Sequence, residues 1–413
     1  MSQIEIVLTW VISVAAILAI LVRPKQIPEW TWAAIGALAL VLFGAISFPH
    51  ALQAFAQGIS VYLFLIGMMM LAEVARHGGV FEWLASRALG GARESRTQLF
   101  WLLYLAGILV TALLSNDATA VVLTPAVYAV VKRANLTPMP YLFACAFVSN
   151  AASFIFPISN PANLVLFHGF PPILSAWVAE FWLPSLVGVA ATALMLFFIC
   201  RRDLRGAFAA TGPVPLDAER RFSLWLVGFC AVALVVASFL GYSIGYTTLA
   251  LGISALLISA ARDRSYASAV LRGITWSIVP LVGGLFVIVA ALDQAGALLL
   301  SERFFAFAQT LSPLASKLSV AGAITIGSSA LNNLPIALAT AHALLHVHSP
   351  VILRTSVVAV DLGPNLSVSA SLATLLWLIA LRREGINVTA WHFLARGALV
   401  LPPALILAVL AVR

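Results

Sequence analysis

Ser115-Asn116-Asp117-Ala118-Thr119 and Leu331-Asn332-Asn333-Leu334-Pro335 are short polar stretches inside apolar runs long enough to enter a lipid bilayer. Each is followed by a second polar stretch. After the first come Ser159-Asn160-Pro161-Ala162-Asn163. After the second come Asp361-Leu362-Gly363-Pro364-Asn365 and Ser371-Leu372-Ala373-Thr374. Amides, carboxylates, prolines and glycines are costly at bilayer depth unless they face protein or a water-filled cavity. Polar, Pro/Gly-interrupted segments at matching places in two halves point to the substrate site of a secondary transporter.

Composition supports that frame. The chain of 413 residues is 62% hydrophobic and 9% charged, with a mean hydropathy of +1.05. A soluble domain carries about 25% charged residues, so the sequence reads as an all-α polytopic membrane protein and a soluble enzyme is excluded. The net charge of +8 does not imply nucleic acid, because the basic residues sit in short loops between apolar runs. Cys145, Cys200 and Cys230 show no metal-ligand or disulfide spacing. No cofactor or metal site is expected. His342, His346 and His348 read as a loop face, Cys145 as core filler and Met68-Met69-Met70 as packing. Residues 4–22 end in Arg23-Pro24-Lys25 with no basic lead and no small-residue cleavage site, which describes a first span and not a signal peptide.

A bilayer core takes about 20 apolar residues per helix. Full spans are expected at 4–22, 30–48, 59–76, 139–168, 176–200, 222–241, 244–261, 275–296, 351–381 and 394–412. Of these, 139–168 and 351–381 are too long for one straight span and are polar in the middle, so each is expected to be a broken helix. Stretches 97–133 and 316–348 each read as two apolar arms around a polar tip, which fits a re-entrant hairpin; length alone also permits two full spans each. With the N- and C-termini periplasmic, all basic residues but Arg303, Lys317, Arg354 and Arg413 lie on the cytoplasmic side, as the positive-inside rule prefers.

Two halves follow, 1–200 and 222–413, joined by a cytoplasmic linker at 201–221 containing Gly206, Gly212, Pro213 and Pro215. Each has three spans, a hairpin, a broken helix and a closing span. Five crossings per half is odd, so the second half is an inverted repeat of the first. Asn116-Asp117 aligns with Asn332-Asn333, Asn150 with Asp361, and Asn160–Asn163 with Ser371–Thr374.

Phe81-Glu82-Trp83, Ser115-Asn116-Asp117 with Leu123-Thr124-Pro125, Asn332-Asn333-Leu334-Pro335, Asp361-Leu362-Gly363-Pro364 and Ser371-Leu372-Ala373-Thr374-Leu375-Leu376-Trp377 resemble, in that order, the ArsB-type arsenite/antimonite efflux permeases. The likeness runs from about residue 20 to the C-terminus. More distantly the chain is similar to the wider ion-transporter superfamily of citrate, dicarboxylate and sulfate carriers and sodium/proton antiporters. The family usually has Thr-Pro-Ile-Gly where this chain has Ser367-Val368-Ser369-Ala370. The resemblance implies the ion-transporter fold in a bacterial inner membrane, arsenite and antimonite as substrates, and a separate ATPase subunit as a partner of some members.

The residues assign the site independently. Asn116, Asn332 and Asn333 are placed at hairpin tips, where Asn caps half-helices and presents backbone N–H groups to a solute. Asn160, Asn163, Ser369, Ser371 and Thr374 complete a substrate-binding set. Asp117 and Asp361 are the only carboxylates in the polar stretches, with no Lys or Arg among them. They are the candidates for carrying a coupling proton, Asp361 first, because its first-half counterpart Asn150 cannot titrate. Arsenous acid is a small neutral trihydroxy molecule at neutral pH, and neutral hydroxyls pair with Asn, Ser and Thr. Exchange of arsenite or antimonite for protons is the leading expectation. A sodium- or proton-coupled carrier of small carboxylates or sulfate, or a cation/proton antiporter, are the alternatives.

Overall fold

The computed structural model describes residues 2–209 and 214–413, entirely helical and loop in the described residues but for one isolated bridge, Ser95 with Ala207. Gly212 and Pro213, assigned above to the linker, lie outside the described residues. The first half begins with α1 (Gln3–Val22), α2 (Glu29–Leu42), α3 (Phe48–Gln57), α4 (Ile59–His77) and α5 (Val80–Gly91). Next come α6 (Arg96–Leu113), the tip helix α7 (Asn116–Ala118), a π-helical turn at Thr119–Leu123 and α8 (Thr124–Arg133). It ends with α9 (Met139–Ala151), α10 (Pro161–Leu166) and α11 (Leu174–Cys200).

The second half holds α12 (Ala218–Phe239), α13 (Ile244–Arg262), α14 (Ser265–Gly273), α15 (Ile278–Gln294), α16 (Leu299–Thr310), α17 (Pro313–Leu331), α18 (Asn333–Leu344), α19 (Pro350–Leu362), α20 (Leu372–Arg383) and α21 (Ala390–Leu410). Nine helical stretches among the described residues are long and apolar enough to cross a membrane. α2 and α9 are apolar but shorter.

Boundaries differ from the sequence reading in informative places. The span expected at 30–48 stops at Leu42, and Ser47 caps a new helix, α3, through the His50 amide. α3 and α14 are short and amphipathic, and α5 and α16 follow α4 and α15. None of the four is long enough to register as a span.

Close packing depends on small residues. α4 lies against α13, and a Cβ at Gly252 would come within 2.7 Å of the Gly67 carbonyl oxygen. Membrane helices approach this closely only where side chains are absent. The helices carrying the polar stretches form the interior: α9 and the segment 357–362 are buried along their length. The outer helices turn apolar side chains outward, as Trp225, Phe229 and Val232 do on α12.

Candidate functional site

The first tip is built by Ser115, whose hydroxyl accepts the Ala118 amide hydrogen at 3.2 Å. This turns the chain sharply after α6. Pro125 has no N–H to give back to the preceding turn, and the helix takes up the mismatch in the π-turn, where the Thr124 hydroxyl donates to the Thr119 carbonyl at 3.0 Å. Thr111 and Thr119 brace the two arms with a 2.8 Å hydroxyl pair. Asn116 and Asp117 are buried at the apex, and the Asn116 Oδ1 has no partner.

The second tip turns on Asn332, at φ 79° and ψ 154°, a backbone region occupied almost only by glycine and costing about 1–3 kcal/mol for other residues. Its side chain holds the turn: Oδ1 accepts from the Leu334 amide at 3.2 Å, and Nδ2 donates to the Ser369 carbonyl at 3.0 Å. The Asn333 amide donates to the Ala370 carbonyl at 2.8 Å, and the Ser369 hydroxyl to the Ser329 carbonyl at 3.3 Å. The second tip is thus laced to the break between α19 and α20. The corresponding link in the first half is single, from the Ser159 hydroxyl to the Ala112 carbonyl at 3.2 Å.

The two broken helices meet each other reciprocally. Asn160 caps α10 through the Ala162 amide at 3.0 Å, and Ser371 caps α20 through the Ala373 amide at 3.2 Å. Asn160 Nδ2 also donates to Asp361 Oδ1 at 2.6 Å. Asn150, aligned with Asp361, donates through Nδ2 to Asn365 Oδ1 at 3.0 Å and to the Thr374 hydroxyl at 3.2 Å. Asn163 donates to the Ser153 carbonyl at 2.9 Å. Asn150 Oδ1, Asn163 Oδ1 and Asp361 Oδ2 have no partner and are sealed from solvent. Buried polar atoms are almost always satisfied, so these three acceptors set the cross-link apart from the rest of the interior.

Asp117 and Asn332 do not share one chamber. Ser115 and Asp117 line a cavity of about 50 Å³ with Glu73, Thr275, Met69 and Leu376. Asn332 and Ser369 line another of about 50 Å³ with Arg23, Glu29, Leu285 and Leu375. Leu375 and Leu376 are neighbours on α20, so that helix separates the two. Asp361, Asn160, Asn163 and Thr374 line neither cavity. Asn116 and Asn333 sit at the tips, and Ser371 is a buried cap.

Three groups around these cavities were not among the expected residues. Glu73 is buried and held by Arg76, whose Nη2 lies 2.6 Å from Glu73 Oε2. Arg23 and Glu29 form an ion pair between α1 and α2. The polar stretches contain no arginine, but the second-tip cavity does. Of the histidines read as a loop face, His346 lies against Glu302 at 3.2 Å, and His342 packs edge-on against His168 with ring centroids 5.9 Å apart.

Broken helices, capped half-helices and buried polar tips flanked by cavities define a polytopic membrane transporter. The chain belongs to the CitMHS family, described as citrate transporter, whose profile matches residues 16–381. Curated relatives agree with the motif resemblance. An arsenical pump membrane protein of Escherichia coli is 26% identical, over 97% of this chain and 97% of its own length. One of Yersinia enterocolitica is 27% identical, over 84% and 85%. Among solved structures, the YdaH transporter of Alcanivorax borkumensis superposes with a TM-score of 0.56 at 17% identity, covering 88% of this chain and 86% of that one. The fold is therefore that of the YdaH transporter, and the resemblance to the arsenical pump membrane proteins extends over nearly the whole chain.

Proposed function

We propose that the chain exports arsenite and antimonite across the bacterial inner membrane in exchange for protons. Asp117 is the observation that carries the coupling. It is the one carboxylate of the polar stretches that opens onto a cavity, nine-tenths buried and without an ion partner. A carboxylate there can alternate between protonated and ionised forms as solute enters and leaves. Asp361 instead sits inside the cross-link between the broken helices, which suits a structural donor–acceptor role.

Support for the substrate comes from the arsenical pump relatives and from the neutral amides and hydroxyls at the second tip. The order of elements in the two halves supports an inverted repeat with two re-entrant hairpins. The termini are then periplasmic and the linker cytoplasmic. The family description keeps a second reading in play, a coupled carrier of small carboxylates.

The test is uptake into everted membrane vesicles with an acid lumen. Wild-type protein should accumulate arsenite and antimonite, and collapsing the pH gradient should abolish accumulation. Uptake of citrate in place of arsenite would establish the second reading.

A further inference from the structure

The Arg23–Glu29 pair is placed by a stiff turn. α1 ends at Arg23, whose amide donates to the Ala19 carbonyl at 2.9 Å and whose φ of 50° is left-handed. Lys25 is also left-handed, at φ 56°, and Pro24 and Pro28 flank the turn. Glu29 opens α2, where a negative charge favours the helix dipole. Both side chains are about three-quarters buried, at 27% and 21% exposed. They line the cavity with Asn332 and Ser369, and its remaining walls are leucine, isoleucine and proline.

We propose that this pair is the charge filter of the second-tip cavity, admitting a neutral hydroxylated solute and refusing anions. The proposal rests on the arsenite reading and names what enforces it. A guanidinium has five N–H donors and a carboxylate has several acceptor positions, so the pair retains both kinds for a ligand. A neutral oxyacid can accept from Arg23 and donate to Glu29 at once. A di- or tricarboxylate, or sulfate, meets the Glu29 charge in an apolar setting, where repulsion is weakly screened. Without Glu29, Arg23 would present an uncompensated positive charge to the cavity, which would then favour anions. Specificity would then come from the repulsive group, as in other selective sites.

The experiment measures arsenite uptake in everted vesicles carrying wild-type protein, Glu29→Gln, or the double variant Arg23→Gln with Glu29→Gln. Each is challenged with citrate, malonate and sulfate. Wild-type flux should resist all three anions. The flux remaining in Glu29→Gln should be inhibited at concentrations about tenfold lower or more, and the double variant should lose that sensitivity. If Glu29→Gln does not insert, Glu29→Ser removes the same charge. Equal anion sensitivity in wild type and the Glu29 variants overturns the filter while leaving arsenite transport standing. A wild-type protein that carries citrate and not arsenite instead overturns the functional reading on which the filter rests.

Discussion

At the residue scale, the two aspartates have different surroundings and should respond differently to the same change. Asp117→Asn retains shape but removes titration. It should lose gradient-driven arsenite accumulation while keeping exchange of labelled for unlabelled arsenite across the vesicle membrane. Asp361→Asn should still accept the Asn160 hydrogen bond and retain most gradient-driven uptake. The opposite pattern would move the proton to Asp361. Asn160→Ala removes both the α10 cap and the donor to Asp361. The buried acceptor left behind costs about 1–3 kcal/mol, to be read as earlier thermal aggregation in detergent and partial recovery in the Asn160→Ala/Asp361→Leu double variant. Asn332→Gly separates geometry from chemistry at the second tip. It relieves the backbone of its unusual φ but removes the bonds to Leu334 and Ser369, so protein of near wild-type stability should show impaired flux.

At the element scale, the tips and breaks were legible because a polar residue inside an apolar run has few tolerable positions. Asn116, Asn332 and Asp361 announce themselves against Leu, Val and Ala. The short helices were not legible for a related reason. α3, α5, α14 and α16 have only 9–12 residues, below the length that hydropathy detects, and a span reading absorbs or skips them. The separation of the two tips into different cavities was hidden as well, because it depends on α20 passing between them. Arg23 reads as an ordinary loop charge and Glu29 carries no motif, and only the fold of the turn at Pro24–Pro28 brings them to Asn332. Helix contacts make their own prediction. The space for Gly252 is set by the Gly67 backbone, so Gly252→Leu must push α4 away from α13. Overpacking of this kind costs about 1–3 kcal/mol. It should lower the yield of monodisperse protein, whereas Gly228→Leu, where a Cβ meets open space, should not.

At the scale of the whole molecule, charge and packing divide the chain into two ends. At one, the linker clips the turn before α6: the Phe208 amide donates to the Glu94 carbonyl at 3.0 Å, and the Thr97 hydroxyl to the Leu204 carbonyl at 2.9 Å. Arg93, Arg96, Arg201, Arg202 and Arg205 gather there. At the other end, the turn after α10 meets the start of α4, with the Ser60 hydroxyl 3.4 Å from the Gly169 carbonyl. The positive-inside rule predicts that the arginine-rich end is cytoplasmic. Cys145, Cys200 and Cys230 are all buried, so the native chain supplies a quiet background for labelling. Arg205→Cys should react with a membrane-impermeant maleimide only after cells are opened. Phe170→Cys, at a side chain 76% exposed beside Gly169, should react in intact cells once the outer membrane is made permeable. Reversed labelling would turn the whole molecule over. Arg23 and Glu29 would then lie on the periplasmic side, and the direction of proton and arsenite movement would have to be reassigned together.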